Sequence, residues 1–509
     1  MGSQGHWSKV VAWFTLDRRL WLQTFVAVLA VSVSWSFASP YFSGPDEPAH
    51  TVRAYSVAHG HFTGSEPTTP NTPGLFVEAP PLFASDPACF AFQPGRPADC
   101  LRLNEETSTE SILTTAGRHP PLYYGIVGLP SWISVSGKGL LSLRVWSAAL
   151  AAAFVASAMV TARRSVFSRW MPAAIGMACT PMCFYMFGLV NPSGLEISAA
   201  ISAWVSGLVL VTTKVVDRRV LLRFVVAACA LVLTRQLGLL WLALLVVTLV
   251  AVIGWRSALS LLRQRSLQIA AVTVIVASLA QLVWLAVIKP LDSTRNGTEP
   301  LELSTAQILR GEIGQMWALT QEWIGVFGWA DTVSPAWVYL GTVVLLGGFV
   351  LVAVCVGRTK IAVILLGMVT VSYALPFLLE APSVRTADYF WQGRYSLPFI
   401  VGIPIVAAYA LTETTNRRFQ VSRFGFVVCG VILWSIEVVA FWQALRRYSV
   451  GSGGSLLFFS NAPWTPPLPA LLLIIVNAVA MGWWVSRLGP GNGSFASDDD
   501  QRVDPVHSA

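Results

Sequence analysis

Hydrophobic residues recur along this chain in long, unbroken blocks, not with the alternation of a strand or the one-sided stripe of a soluble helix. The blocks lie near Trp21–Pro40, Gly139–Thr161, Met171–Val190, Leu195–Thr213, Val220–Thr234, Leu237–Ile253, Ile269–Ile288, Trp337–Val356, Ile361–Leu379, Leu397–Leu411, Phe424–Trp442 and Leu468–Val485. A bilayer core about 30 Å thick takes roughly 20 apolar residues in a helix, and somewhat fewer in a tight bundle. The pattern therefore predicts an all-α integral membrane protein with about 12 transmembrane helices. The first block has the length of a retained span and is not read as a cleaved signal peptide.

The polar breaks between blocks orient them. Arg18 and Arg19, Arg163 and Arg164, Lys214 with Arg218 and Arg219, Arg256 with Arg263, Arg358 with Lys360, Arg417 with Arg418, and Arg487 fall in alternate breaks. The positive-inside rule makes those breaks cytoplasmic, along with both termini of a multi-pass cell-membrane protein. A further apolar stretch, Leu122–Val135, cannot cross without inverting every later loop, and Pro120, Pro121 and Pro130 suit a juxtamembrane or re-entrant helix. The expected organisation is a cytoplasmic segment over 1–20, a membrane domain over 21–486 and a disordered cytoplasmic tail over 487–509. Outer loops then fall near 41–121, 289–336 and 446–467, and the first is long enough to carry structure of its own.

Composition sharpens this in two respects. Of 509 residues, 54% are hydrophobic and 12% charged, so water is not the main solvent. The net charge of +8 arises from clusters between apolar blocks, which argues for membrane orientation and membrane-lipid contact and against nucleic acid. Of seven cysteines, only Cys89 and Cys100 fall in a polar loop, and an outer location would let them form a disulfide. The others read as small buried residues.

Few ionisable residues are expected at the bilayer centre; Glu196, Arg235, Arg394 and Glu437 are read as lying toward the outer ends of spans. Directly after the first block comes Gly44-Pro45-Asp46-Glu47-Pro48-Ala49-His50-Thr51-Val52-Arg53. Pro48 suits a first helical turn, which puts Glu47 at or near the N-cap and Asp46 just before it. Adjacent carboxylates at a membrane surface can serve as a general base or hold a divalent metal, the one cofactor this pair suggests. The structural alternative is that Asp46 and Glu47 only cap the helix. The turn at Asn191 reads as structural, and Glu322–Trp329, aromatic and Gly-rich, as a segment resting on the membrane surface, with stacking on a sugar ring as the alternative. Asn296-Gly297-Thr298 fits a glycosylation acceptor, a tripeptide common by chance.

Pro45-Asp46-Glu47-Pro48-Ala49-His50, His119-Pro120-Pro121-Leu122-Tyr123-Tyr124, Asn191-Pro192-Ser193-Gly194-Leu195-Glu196 and Gln392-Gly393-Arg394-Tyr395 together resemble a bacterial membrane-protein family, domain of unknown function 2142. Its architecture is similar to that of GT-C glycosyltransferases. The resemblance implies an inverting transfer of sugar from a polyprenyl-phosphate donor to a glycan, lipid or protein acceptor of the cell envelope. It implies Asp46 as the catalytic residue with Glu47 beside it, and a basic residue such as Arg235 in an outer turn. On their chemistry Arg235 and Arg394 are candidates for the donor phosphate, the alternative being headgroup anchors, and His50, Arg53 and His119 are candidates to line the site, the alternative being structural roles. Two other readings remain open on the sequence: a lipid-glycan transporter or flippase, and a non-catalytic membrane scaffold.

Overall fold

The computed structural model describes residues 3–69, 72–213, 216–289, 304–381, 384, 391–414 and 422–489. Lys214, Arg417, Arg418, the tripeptide Asn296-Gly297-Thr298 and the tail beyond Gly489 lie outside the described residues. The chain is a helical membrane protein, and all twelve apolar blocks are helical. In order they form α1 (Ser3–Ala38), α4 (Gly137–Arg164), the broken pair α5 (Met171–Ala178) and α6 (Pro181–Phe187), α7 (Pro192–Thr212), α8 (Arg218–Thr234), α9 (Gly238–Ile253), α11 (Arg265–Ile288), α13 (Ala336–Val356), α14 (Thr359–Glu380), the pair α15 (Leu397–Ile400) and α16 (Gly402–Thr414), α17 (Arg423–Val450) and α18 (Ala470–Ser486). Between them lie the short or polar helices α2 (Glu47–Ala58), α3 (Pro121–Val127), α10 (Trp255–Leu261) and α12 (Thr305–Ile324).

Among the described residues, seven helices are long and apolar enough to cross a membrane unaided. The remaining blocks are shorter or interrupted, for local reasons. Thr180 precedes Pro181, whose ring disfavours helical geometry at the residue before it, so α5 ends there and α6 starts anew. Gly254, at φ +86°, turns the chain 107° between α9 and α10, a backbone conformation that a side chain would strain. Leu122–Val135 forms only the seven-residue α3 and a 3-10 turn at Leu129–Trp132, too short to cross.

The basic breaks gather at one end of the bundle. Asp17 pairs with Arg164 and Arg219, Arg358 pairs with Glu413, and Arg163 donates to the carbonyls of Arg487 and Gly489. The long loop occupies the opposite end, called the loop end below. There α2 packs on α3 and on an antiparallel ribbon of β1 (Leu75–Ala79) and β2 (Glu110–Thr114), in which Leu75 faces Thr114. Cys89 and Cys100 are joined by a disulfide. The segment they enclose is held by Arg447, which donates to the carbonyls of Phe90, Gln93 and Arg96 and to the Asp331 carboxylate at 2.7 Å.

Three expectations change. Helix α17 continues to Val450, so Arg446 and Arg447 belong to its last turns, where cations favour the helix dipole, and not to a loop. Glu437 therefore lies mid-helix instead of near an outer end; it is buried and accepts from Trp35 Nε1 at 2.7 Å. The Glu322–Trp329 segment turns inward: Phe327 is fully buried against Trp35 and Tyr185, in a hairpin of β3 (Val326–Phe327) and β4 (Thr332–Val333). Burying those rings removes more apolar area from water than a surface position would.

The first and second helices meet over one side chain. Arg144, in the first third of α4 and 2% exposed, donates through Nε and Nη2 to the two Glu47 carboxylate oxygens at 2.8 and 2.7 Å. Its remaining N–H groups bind the carbonyls of Ser36, Ser39 and Pro40 at 2.6 to 2.9 Å, where α1 has run out of intrahelical donors. Glu47 also accepts from the backbone N–H groups of Val190 and Gly44. All five guanidinium hydrogens thus have partners, which is what permits an ion pair in this interior.

Removing one partner leaves the other charged and buried. Arg144→Met and Glu47→Gln are each expected to lower the stability of the detergent-purified protein by about 3–5 kcal/mol, and the double variant Arg144→Met/Glu47→Leu by less than either. Thermal unfolding checks this, and single variants that melt with the wild type would contradict it.

Candidate active site at the loop end

Asp46 is the cap residue of α2 and Glu47 the first helical residue, so Glu47 lies near the cap as expected, while Asp46 occupies the cap itself instead of the position before it. Its backbone is left-handed (φ 60°, ψ 11°), a conformation Asp and Asn tolerate better than other L residues. The Asp46 side chain makes no capping hydrogen bond. Its carboxylate, 42% exposed, meets the Arg394 guanidinium at 2.9 Å instead.

The two neighbouring carboxylates have separated. Glu47 is 1% exposed and saturated by Arg144, so it cannot reach a substrate, and the predicted catalytic pair does not converge. Nor do Asp46 and Glu47 fit a shared metal: one carboxylate is committed to a guanidinium behind the helix, the other faces outward. Among the described residues, no group of three or more His, Cys, Asp or Glu side chains is arranged to hold a metal ion.

Around Asp46 the structure brings together most of the residues singled out from sequence. Arg394, 6% exposed, sits in a 3-10 turn at Gly393–Tyr395, and its guanidinium lies over the Tyr395 ring at 4.9 Å. Arg235, in the turn between α8 and α9, lies over the same ring at 4.6 Å. Its Nη1 donates to Ser193 Oγ at 2.7 Å and lies 3.8 Å from the Glu196 carboxylate. Asn191 caps α7 and donates to the Pro45 carbonyl at 3.1 Å, so the turn read as merely structural reaches the site through Ser193 and Glu196.

The imidazoles form a neutral wall. His50 Nδ1 shares a 2.9 Å hydrogen bond with Tyr124 Oη, and the His119 ring stands edge-on at 5.6 Å. Burial, reinforced by the charges of Arg235 and Arg394, holds His50 well below the usual histidine range. Burial, with His50 and then Arg235 and Arg53 as further causes, does the same to His119. Arg53 lies deeper than the sequence suggested: it is fully buried and donates to the carbonyls of Phe62 and His119 at 2.8 and 3.2 Å, and burial lowers its pKa to about 10. It stays charged at neutral pH and fixes the His119 backbone.

Sequence reasoning missed Arg144, Glu322, Glu380 and Trp391. For Arg144 the signal was present, since an arginine inside an apolar block requires a buried partner. Glu322 and Glu380 act on backbone N–H groups of Gly393 and Trp391, contacts that only the folded chain creates.

A family described as Predicted membrane protein (DUF2142) matches residues 29–403. No curated protein matches significantly. Among solved structures the chain is similar to crystal structures of ArnT from Cupriavidus metallidurans. One is bound to undecaprenyl phosphate (14% identity, TM-score 0.43, 92% of this chain and 77% of that one); the other is in the apo state (15%, 0.43, 94% and 77%).

The imidazole wall gives stability a pH dependence. Both folded-state histidine pKa values lie below the unfolded value of 6.5, so below that pH the unfolded chain takes up protons that the folded one refuses. Stability should be complete above about pH 6.5 and fall as pH drops below it, by up to about 1.4 kcal/mol per pH unit for each histidine. Melting temperatures between pH 7.5 and 5 check this: His50→Gln and His119→Gln should each flatten the slope, and an unchanged slope in both would contradict it.

Proposed function

This chain belongs to the DUF2142 family of membrane proteins, and from that premise we propose that it transfers a sugar from a polyprenyl-phosphate donor to a cell-envelope acceptor, by an inverting GT-C-type reaction at the outer face of the cell membrane. The observation that carries this reading is the ion pair between a half-exposed Asp46 and a buried Arg394. A carboxylate that only capped its helix would bind the free N–H groups of α2, and Asp46 does not. The scaffold reading loses its main support with that. The motif resemblance and the basic turns at the far end of the bundle support the donor class and the outward placing of the loop end.

The chemistry follows from the charges. A sugar phosphodiester carries one negative charge, and the polyprenyl phosphate leaving it carries a second. Arg394 and Arg235, both over the Tyr395 ring, are placed to stabilise that developing charge. Asp46 takes the proton from the acceptor hydroxyl, whose oxygen attacks the anomeric carbon from the face opposite the phosphate. The bond from the anomeric carbon to the phosphate oxygen breaks, and its electron pair leaves with the phosphate. Before donor arrives, Arg394 holds Asp46; the donor phosphate competes for that guanidinium and frees the carboxylate to act as a base. The neutral His50 and His119 bound this space without adding cations that would hold Asp46 back.

Asp46→Asn tests the assignment cleanly, because Asn accepts the left-handed backbone and leaves the fold intact. With an isotope-labelled polyprenyl-phosphate sugar in membranes carrying the protein, its transfer should fall by a factor of roughly 100 to 10,000 with expression unchanged. Wild-type transfer by Asp46→Asn would overturn the catalytic role.

A further inference from the structure

Two carboxylates of the loop end, Glu380 buried and Glu322 partly buried, have no part in the proposed chemistry, yet both hold the turn that carries Arg394. The Gly393 N–H donates to the Glu322 carboxylate, and the Trp391 N–H to the Glu380 carboxylate. Glu322 is in the last turn of α12 and Glu380 ends α14, so the turn is fastened to both helices. Gly393 lies so close to α12 that a Cβ there would stand 2.6 Å from the Glu322 Cβ and 3.0 Å from the Leu319 carbonyl. Trp391 is fixed a second time, by Nε1 donating to Ser396 Oγ at 3.1 Å.

The same residues wall a cavity. A space of about 460 Å³ between α12 and α14 is lined by Met316, Leu319, Glu322, Tyr373, Glu380 and Trp391. A second one of about 360 Å³, bounded by α12, α13 and α14 with α5, α15 and α16 and almost wholly apolar, includes Tyr373 and Val369 of the first. The lining suits a hydrocarbon chain. The two carboxylates at its upper wall would repel an anionic head, which directs such a head past them toward the guanidinium three residues beyond Trp391.

We propose that Glu322 and Glu380 are positioning residues: they clamp the Trp391–Arg394 turn to the wall of this cavity, so that the chain of an anionic amphiphile seated there sets the place of Arg394 against its head group. This rests on the donor class proposed above and adds to it a link between tail and head recognition. Carboxylates suit the task because a charged acceptor makes a stronger, more directional bond to a backbone N–H than a neutral one.

The test compares binding of a long-chain polyprenyl phosphate with that of the uncharged polyprenol of equal length, by native mass spectrometry of the purified full chain. Wild type should prefer the phosphate, and Arg394→Ala should abolish the preference. Glu322→Ala and Glu380→Ala should each reduce it about tenfold, the size expected for losing a charge-assisted hydrogen bond, with polyprenol binding unchanged. Glu322→Gln, which keeps an oxygen for the Gly393 N–H, should restore most of it. Full phosphate preference in both alanine variants, or an equal loss of both lipids, would overturn the positioning role while leaving the donor assignment intact. No preference in the wild type would overturn the donor assignment and the positioning role together.

Discussion

The site depends on one buried arginine. Arg144 lies inside an apolar helix, where a cation is tolerated only with every hydrogen bonded and a counter-charge in contact. It meets that requirement by collecting the C-terminal carbonyls of α1 and the Glu47 carboxylate, which in turn takes the backbone N–H of Val190 ahead of α7. Three helices are thereby brought to a point. Between α1 and α2, Asp46 adopts left-handed backbone and its side chain makes no capping bond to the helix it begins.

Two adjacent acidic residues consequently have opposite fates. The Glu47–Arg144 pair is closed to solvent, and breaking it would strand a charge in the interior. The Asp46–Arg394 pair is open on the aspartate side and carries the weaker interaction of a half-solvated bridge, which an incoming phosphate can replace. A closed pair holds the frame, and the pair proposed to exchange sits on it. In the proposed exchange Arg394 would stay in place, because its turn is fastened to α12 and α14 as well as to Asp46.

Much of this was legible in the sequence. Long apolar blocks report helices directly, and the alternation of basic breaks anticipated which turns meet at one end. The Asp46, His50, His119, Arg235 and Arg394 motifs, far apart in the chain, do converge. What stayed hidden depends on pairing. Nothing in Asp46-Glu47 says which carboxylate will face inward until Arg144 is placed, and the length of α17 beyond Trp442 accompanies carbonyl partners for Arg446 in the segment that follows the helix and for Arg447 in the first loop. The Glu322–Trp329 aromatics read as a surface segment because composition cannot distinguish a ring meant for lipid from one meant for Trp35.

The exchange at Asp46 is the central claim, and difference infrared spectroscopy of the purified protein measures it most directly. Adding a polyprenyl phosphate should shift one carboxylate band as Arg394 leaves Asp46, and the shift should be missing in Asp46→Asn and retained in Glu47→Asp. Saturating binding with no change in a carboxylate band, or the same change in Asp46→Asn, would contradict the account.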